Sequence, residues 1–439
     1  MENKQQHIIR CVWVNVCRFI LSATFIFSGF VKSVDPLGTQ YKIADYLEAF
    51  HLTPFVPDII PLIASVFLGL LEFTLGVLLL FGIRRHTSSI LTLLLMLFMT
   101  PLTLYLAIAN PVSDCGCFGD AIVISNWATF WKNIVLLTAA VFVFRWRALL
   151  IRLVSEKSQW LISIYTIVYI LGISTYCLYY LPLFDFRPYH IGANIQQGMG
   201  IPEGAKPNIY ESIFVLEKDG VKKEFTLDNY PDSTWTFVDS RTILKEKGYE
   251  PPIHDFSIAR VEDGEDITQE ILQNPGYTFL LIAYRIEDAD NSSIDLVNEI
   301  YDYSVEHQYG FYCLTSSPDE AIEHWKDQTG AEYPFCLTDG ITLKTIIRSN
   351  PGLVLLKDGT IYGKWSYNNL PDEFVLNAPL EQLELGQLKT SDHRYTTLRV
   401  VLWFILPLLV FTGLDLLLIK RRNRKKEGVQ PTPDEQDTN

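Results

Sequence analysis

Two cysteines one residue apart, Cys115 and Cys117, offer the clearest chemistry in this chain of 439 residues. They lie in Asp114–Cys115–Gly116–Cys117–Phe118–Gly119–Asp120. Thiols so close in sequence can bridge only where the chain bends, because bonded cysteines hold their Cα atoms within about 7 Å. Gly116 between them accepts unusual backbone angles at little steric cost. So tight a ring is expected to be strained, and strained disulfides are oxidising and labile. A disulfide donor or exchange site needs that property. Asp114 and Asp120 weigh the other way, since nearby negative charge disfavours a thiolate. The readings are therefore a redox pair, a static brace for the loop, or part of a metal site. Zinc normally takes four ligands and no histidine lies in the loop, so no metal is expected.

Five further cysteines bring the total to seven. Cys11 and Cys17 fall near the start of the first apolar segment, and Cys177 near the end of the fifth. Cys313 and Cys336 lie on apolar runs with strand character, where free cysteine packs as a small hydrophobe. They read as secondary thiols: two buried thiols, a structural disulfide, or the far end of a relay from Cys115 and Cys117. Glu72 falls midway along an apolar segment, where a carboxyl is costly unless neutral or paired. Arg18, in the first segment, is its expected partner and a candidate binding residue. The pair is either a proton or quinone-head site or an ion pair locking two helices.

These residues must be positioned by elements of two kinds. Hydrophobic residues make up 49% of the chain and mean hydropathy is +0.16, but residues 11–181 and 398–419 carry most of the apolar character. Six segments reach the roughly 20 residues a spanning helix needs: 12–31, 59–82, 89–109, 127–145, 160–181 and 398–419. No small-residue cleavage site follows the first, so it is expected to be retained rather than removed as a signal peptide. Pro101 should kink the third. Basic clusters follow the second (Arg84, Arg85), the fourth (Arg145, Arg147, Arg152, Lys157) and the sixth (Lys420, Arg421, Arg422, Arg424, Lys425, Lys426). The positive-inside rule satisfies all three at once with both termini cytoplasmic. The loops 32–58, 110–126 and 182–397 then lie outside, where disulfides persist. The formal net charge is -14, and an acidic surface excludes nucleic acid as a partner. Few polar groups besides Arg18, Glu72 and Asp415 fall inside the segments, which argues against a transporter.

Between the last two segments the chain reads as a soluble α/β domain. Residues 182–207 are a Pro- and Gly-rich linker. Residues 211–227 read as a hairpin turning at Asp219–Gly220. Tyr277–Tyr284 is a continuous apolar run, as in a buried central strand. A helix over 294–307, a strand over 311–314, a helix over 319–328, a short strand over 333–337 and a short helix over 342–348 follow. Strands over 353–357 and 360–365 then turn at Asp358–Gly359. The tail beyond Lys426, with Pro431–Thr432–Pro433, reads as disordered.

This order is that of a thioredoxin-like fold, a mixed sheet covered by helices. Asn350–Pro351–Gly352–Leu353–Val354–Leu355–Leu356–Lys357–Asp358–Gly359–Thr360 resembles the proline–strand–turn stretch of TlpA-like thioredoxin-fold proteins. That resemblance implies a cis peptide at Pro351 and a client groove beside it. The paired cysteines of such proteins are missing: Arg285–Ile286–Glu287–Asp288–Ala289–Asp290 stands in their place. The domain is therefore expected to bind rather than react.

A second resemblance covers residues 12–145. Phe27–Ser28–Gly29–Phe30–Val31–Lys32, Asp35–Pro36, Tyr41–Lys42, Glu72 with Gly76 and Phe81–Gly82, and Cys115–Gly116–Cys117–Phe118–Gly119 resemble the DoxX and MauE group of four-helix membrane proteins. It implies a bundle in a bacterial inner membrane, support for disulfide acquisition by envelope proteins, and quinone as the candidate cofactor. The expected organisation is a four-helix bundle (1–150), a fifth span (158–182), a linker and hairpin (183–249), a periplasmic thioredoxin-like domain (250–385), a sixth span (398–420) and a cytoplasmic tail (421–439). The expected partners are the lipid bilayer and an extracytoplasmic protein client. The expected function is membrane thiol–disulfide exchange through Cys115 and Cys117, with Glu72 moving protons. The alternative is a non-catalytic scaffold whose degenerate domain binds a periplasmic partner.

Overall fold

The computed structural model describes residues 4–112, 114–206, 209–218, 220–232, 234–246, 248–254, 256–388 and 393–427. Asp219 of the expected turn and the tail with Pro431–Thr432–Pro433 lie outside the described residues. The chain forms two compact units, residues 1–187 with 391–439 and residues 188–390.

The first unit holds α1 (Lys4–Val34), α2 (Pro36–Ala49), α3 (Ile59–Phe81), α4 (Arg85–Ala109), α5 (Asn126–Arg145) and α6 (Gln159–Tyr179). The chain returns to it as α12 (His393–Glu427), after the five short helices of the second unit. All of these except α2 are long and apolar enough to cross a membrane, six among the described residues. The protein is an integral membrane protein. Val14, Leu21 and Phe25 of α1 pack with Leu75 and Leu79 of α3, Met96 of α4, and Leu136, Ala139 and Val143 of α5. That is a four-helix core. Phe73 and Val77 of α3 face Ile162 and Ile170 of α6 and Leu408 of α12 on the other side. Lipid tails are as apolar as leucine, so such helices associate by close packing and hydrogen bonds. Gly29 shows both demands: a Cβ there would come within 2.3 Å of the Phe73 backbone nitrogen. Only glycine lets α1 and α3 approach so nearly. Asp415 of α12 accepts from Ser155 N (2.8 Å) and Ser158 Oγ (2.6 Å), tying the last helix to the start of α6.

The segment 32–58 is not simply a loop. Pro36–Ala49 is helical, with Pro at its first position and the Asp35 carboxylate accepting from Gly38 N at 2.9 Å. Proline at a helix start and an aspartate cap are a standard start signal.

The second unit carries α7 (Ile195–Met199), β1 (Ile209–Lys218), β2 (Val221–Thr226), β3 (Thr236–Glu246), β4 (Ala259–Arg260), α8 (Thr268–Leu272), β5 (Tyr277–Ile282), α9 (Ile294–Glu306), β6 (Gly310–Thr315), α10 (Asp319–Thr329), β7 (Phe335–Leu337), α11 (Gly340–Ile346), β8 (Gly352–Lys357) and β9 (Thr360–Ser366). The expected hairpin gains a third strand, in the order β2-β1-β3. The expected linker is partly folded: it carries α7, and Asn194 bridges to Thr360. The main sheet runs β4-β7-β6-β5-β8-β9. Strands β5, β6 and β7 are parallel, while β8 and β9 run antiparallel beside β5. This is the thioredoxin-like arrangement of a parallel βαβ unit joined to an antiparallel hairpin. Every residue of β5 is buried, as a strand covered on both faces must be. One face packs Phe279, Leu281, Phe311, Cys313, Leu353 and Leu355 against Val297 and Ile300 of α9 and Trp325 of α10.

Candidate functional site: a dithiol loop clamped by buried charges

The loop after α4 begins at Asn110, whose left-handed backbone (φ 46°) caps the helix. Asn126 at the head of α5 donates to Asn110 Oδ1 (2.9 Å) and Val112 O (3.0 Å), closing the loop's base. Gly116 takes φ 62°, a conformation that disfavours any side chain with a Cβ. Its amide donates to Asp114 Oδ1 at 2.8 Å, and Gly119 N donates back to Gly116 O at 3.0 Å. The resulting bend brings the sulfurs of Cys115 and Cys117 to 2.6 Å as free cysteines. A disulfide is about 2.05 Å long, so the pair is poised for bonding.

Both cysteine carbonyls are held. Tyr46 of α2 donates its hydroxyl to Cys115 O at 2.6 Å. Lys32 of α1 donates to Cys117 O at 2.8 Å, and Ser28 Oγ lies 2.7 Å from the same oxygen. Lys32 also donates to Ser28 Oγ (2.6 Å) and to Glu72 Oε2 (2.7 Å). The three ammonium protons are thereby used. Ser28 Oγ is also 2.7 Å from Glu72 Oε2. A hydroxyl has one proton to give, so Ser28 donates either to the carboxylate or to the Cys117 carbonyl. Lys32 and Glu72 form an ion pair with side chains only 5% and 8% exposed. Asp114, expected to oppose a thiolate, is bound to Lys42 of α2 at 2.9 Å. Lys132 of α5 sits 4.2 Å from the Phe118 ring centre, and Phe27 meets the same ring edge-on at 5.4 Å. Beneath the thiols lies a cavity of about 80 Å³ lined by Lys32, Glu72, Met96, Met99, Lys132 and Asn133 among others. That is room for several waters.

The thiols are electrically unequal. The hydrogen bond shared with Cys115 holds the Cys117 thiol below its ordinary value; burial opposes this, and the charges of Lys132 and Lys32 assist it. The same hydrogen bond, with burial, pushes Cys115 up. The thiolate is the reactive form. In the reduced full-length protein, the pH midpoint for Cys117 alkylation by a small reagent should lie below that of the unfolded chain. A Cys115→Ala substitution removes that hydrogen bond and should move the midpoint upward. Equal midpoints in all three samples would refute this assignment.

Several expectations need correction. Arg18 is not the partner of Glu72. It is buried and donates to Ile151 O at 2.6 Å. Lys32 is fourteen residues further along the same helix, about 21 Å at 1.5 Å per residue. The expected first span ended at residue 31 and left Lys32 outside, whereas α1 continues to Val34 and carries Lys32 into the bundle. Cys313 and Cys336 do not face each other. Cys313 pairs in register with Phe335, and Cys336 with Leu314. Neighbouring strand positions point to opposite faces, so the two thiols lie on opposite sides of the sheet. Burial pushes both up, Cys336 to about 11. The peptide before Pro351 is cis, as the resemblance implied. Pro351 is nevertheless buried. Asp290 N donates to Asn350 O (3.0 Å) and Asn350 Nδ2 to Arg285 O (2.7 Å), so segment 285–290 is stitched to the proline turn.

Sequence reasoning passed over Tyr46 and Lys132, and quoted Ser28, Lys32 and Lys42 only as residues of a family resemblance, with no role at the thiols. A signal existed for Lys132: Trp131–Lys132–Asn133 interrupts an apolar span with adjacent polar groups, and charged residues inside spans mark function by default.

The fold and site together define a membrane helix bundle with a clamped dithiol loop and an inserted thioredoxin-like domain. Residues 10–145 match the family model described as Methylamine utilisation protein MauE, which takes in α1 to α5 and the dithiol loop. Residues 210–247 match a Domain of unknown function (DUF8463), spanning the three-stranded sheet. No curated protein matches the chain. Among solved structures, the solution structure of "a putative protein disulfide isomerase from Bacteroides thetaiotaomicron" is similar at 19% identity and TM-score 0.24, covering 33% of this chain and 91% of that one. The strand order above, rather than that likeness, carries the fold assignment.

Proposed function

We propose that this protein is a membrane thiol–disulfide oxidoreductase whose working centre is Cys115–Cys117. The observation that carries the reading is the clamped loop: two sulfurs at 2.6 Å, one thiol favoured as thiolate, over a cavity lined by three lysines, Lys32, Lys42 and Lys132. A client thiolate attacks the oxidised pair, forms a mixed disulfide and releases the other cysteine as thiolate. A second client thiol then displaces the first cysteine, leaving an oxidised client and a reduced pair. Regaining the disulfide takes a two-electron acceptor; a bound quinone would supply that chemistry by accepting two electrons and two protons from the reduced pair. Met96 and Met99, whose unbranched side chains adapt readily, line the cavity that a quinone head would enter. Glu72, Lys32 and Ser28 form a hydrogen-bonded path along which a proton can shift.

The orientation follows from charge. Arg84, Arg85, Arg147, Arg152, Lys420 and Arg421 lie at helix ends opposite the dithiol loop, and such ends face the cytoplasm. The loop and the domain at 188–390 then face the periplasm of an inner-membrane protein, an oxidising setting. The cysteine-free segment 285–290 favours a second reading, in which the domain binds a client without reacting and the loop is only a brace.

Alkylation trapping of the full chain in intact cells tests the choice. A redox centre should show both reduced and oxidised Cys115–Cys117, shifting wholly to reduced when quinol reoxidation is blocked. A pair locked in one state under every condition means the brace.

A further inference from the structure

At the end of the bundle away from the thiols, the α3–α4 turn and the α5–α6 connection enclose a concave site of about 600 Å³. Arg84, Arg85, Arg147 and Arg152 line it with His86, and Glu156 is the carboxylate among its lining residues. Glu156 is engaged by Arg152 in an ion pair at 2.5 Å. Four guanidiniums therefore face one carboxylate that is already used. The site is built rather than frayed. Arg84 N donates to Gln159 Oε1 (3.2 Å), Arg85 Nη1 to Ala148 O (2.8 Å), and Leu153 N to Phe81 O (3.1 Å). Arg85 Nε is buried with no hydrogen-bond partner, a donor left open in a place where donors are normally satisfied. The first turn of α4, a helix of 25 residues, opens into the same site, and a helix start favours anions.

Its depth points to the source of the anion. Trp160, next to Gln159, is 57% exposed, and Ile151 and Leu153 on the lining segment are 52% and 47% exposed. Exposed tryptophan beside a span marks the membrane–water interface. Apolar side chains beside an arginine cluster suit a ligand with both a charge and hydrocarbon. Basic hollows between spans at this level hold anionic head groups.

We propose that this hollow binds the phosphodiester of an anionic phospholipid, with Arg84, Arg85 and Arg152 on the phosphate and Ile151 and Leu153 along the acyl chains. The guanidinium fork matches phosphate oxygens in paired hydrogen bonds, and the lipid would staple the α3–α4 turn to the α5–α6 connection.

The test uses the full-length protein in neutral detergent, with thermal unfolding read against three additions. Short-chain phosphatidylglycerol should raise the midpoint, and phosphatidylcholine at the same concentration should not. In an Arg84→Gln/Arg152→Gln variant the phosphatidylglycerol shift should fall by at least half. If that variant does not fold, Arg84→Gln alone serves, because its side chain is exposed. An equal shift with phosphatidylcholine, or an undiminished shift in the variant, overturns the proposal. A shift reproduced by inorganic phosphate alone also overturns it, since the site would then be one for a free anion.

Discussion

Cys117→Ser is expected to bring thiol–disulfide exchange by the full-length protein down to the uncatalysed background. The variant should be made in normal amounts, because the clamp on position 117 acts through its backbone carbonyl, held by Lys32 and Ser28. The two cysteines should not behave alike when replaced singly. In exchange, the thiol of lower pKa is the better leaving group. Cys117 is that thiol, so an incoming client bonds to Cys115 and Cys117 departs. A Cys117→Ser protein therefore retains the sulfur that holds the client and lacks the partner that releases it. Offered a disulfide-bonded peptide, its Cys115 thiolate attacks the peptide disulfide, releases one peptide thiolate and keeps the other half as a mixed disulfide, seen as a reductant-sensitive gel shift. Cys115→Ser should accumulate much less. Full activity in Cys117→Ser, or equal adducts in the two variants, would falsify the assignment.

Lys32→Met is expected to be the most destabilising single change in the bundle. It leaves the Glu72 carboxylate buried without its cation. Removing one member of a buried pair typically costs about 3–5 kcal/mol, whereas replacing both with apolar groups is often close to neutral. The Lys32→Met/Glu72→Met double variant should therefore recover most of the stability lost by either single one. Denaturant unfolding of all four proteins forms a double-mutant cycle. Additive losses would show that the ion pair is incidental and that Lys32 serves only the Cys117 carbonyl. Loss of exchange with stability restored in the double variant would separate the proton path from the scaffold.

Much of the architecture could be read before any coordinates, for identifiable reasons. Spans announce themselves because every residue along some 20 positions must suit lipid. Each of the six expected segments coincides with a helix, although α1 begins eight residues before its expected start and α12 ends eight residues after its expected end, and the strand and helix order of the inserted domain followed from its apolar runs. Roles were legible only for the two thiols, Asp114 and Glu72; Ser28, Lys32 and Lys42 stood out as residues of a family resemblance and nothing more. What holds the thiols was not legible, because it depends on helix register. Gly29 sets how closely α1 meets α3, and that contact decides which cation is level with Glu72. Depth estimated from span midpoints chose Arg18; the packing chose Lys32. The roles of Lys42 and Tyr46 stayed hidden for a related reason. They matter only because residues 36–49 fold into a helix beside the dithiol loop, and nothing local in their sequence says what lies across from them. The strand β3 escaped because it is a largely exposed strand with little alternation between apolar and polar residues.

The domain at 188–390 is inserted between α6 and α12, so it is moored to the membrane at both ends of its chain. Two moorings change what affinity means. A client docked on a tethered domain meets the dithiol loop of the same chain as a local reactant, and short flexible tethers give effective concentrations near millimolar. A contact too weak to be seen between separate proteins is then sufficient for repeated encounters. One proteolytic nick on either side would leave the domain attached by the other strand. Its contribution should be lost in a single step, at the second cut.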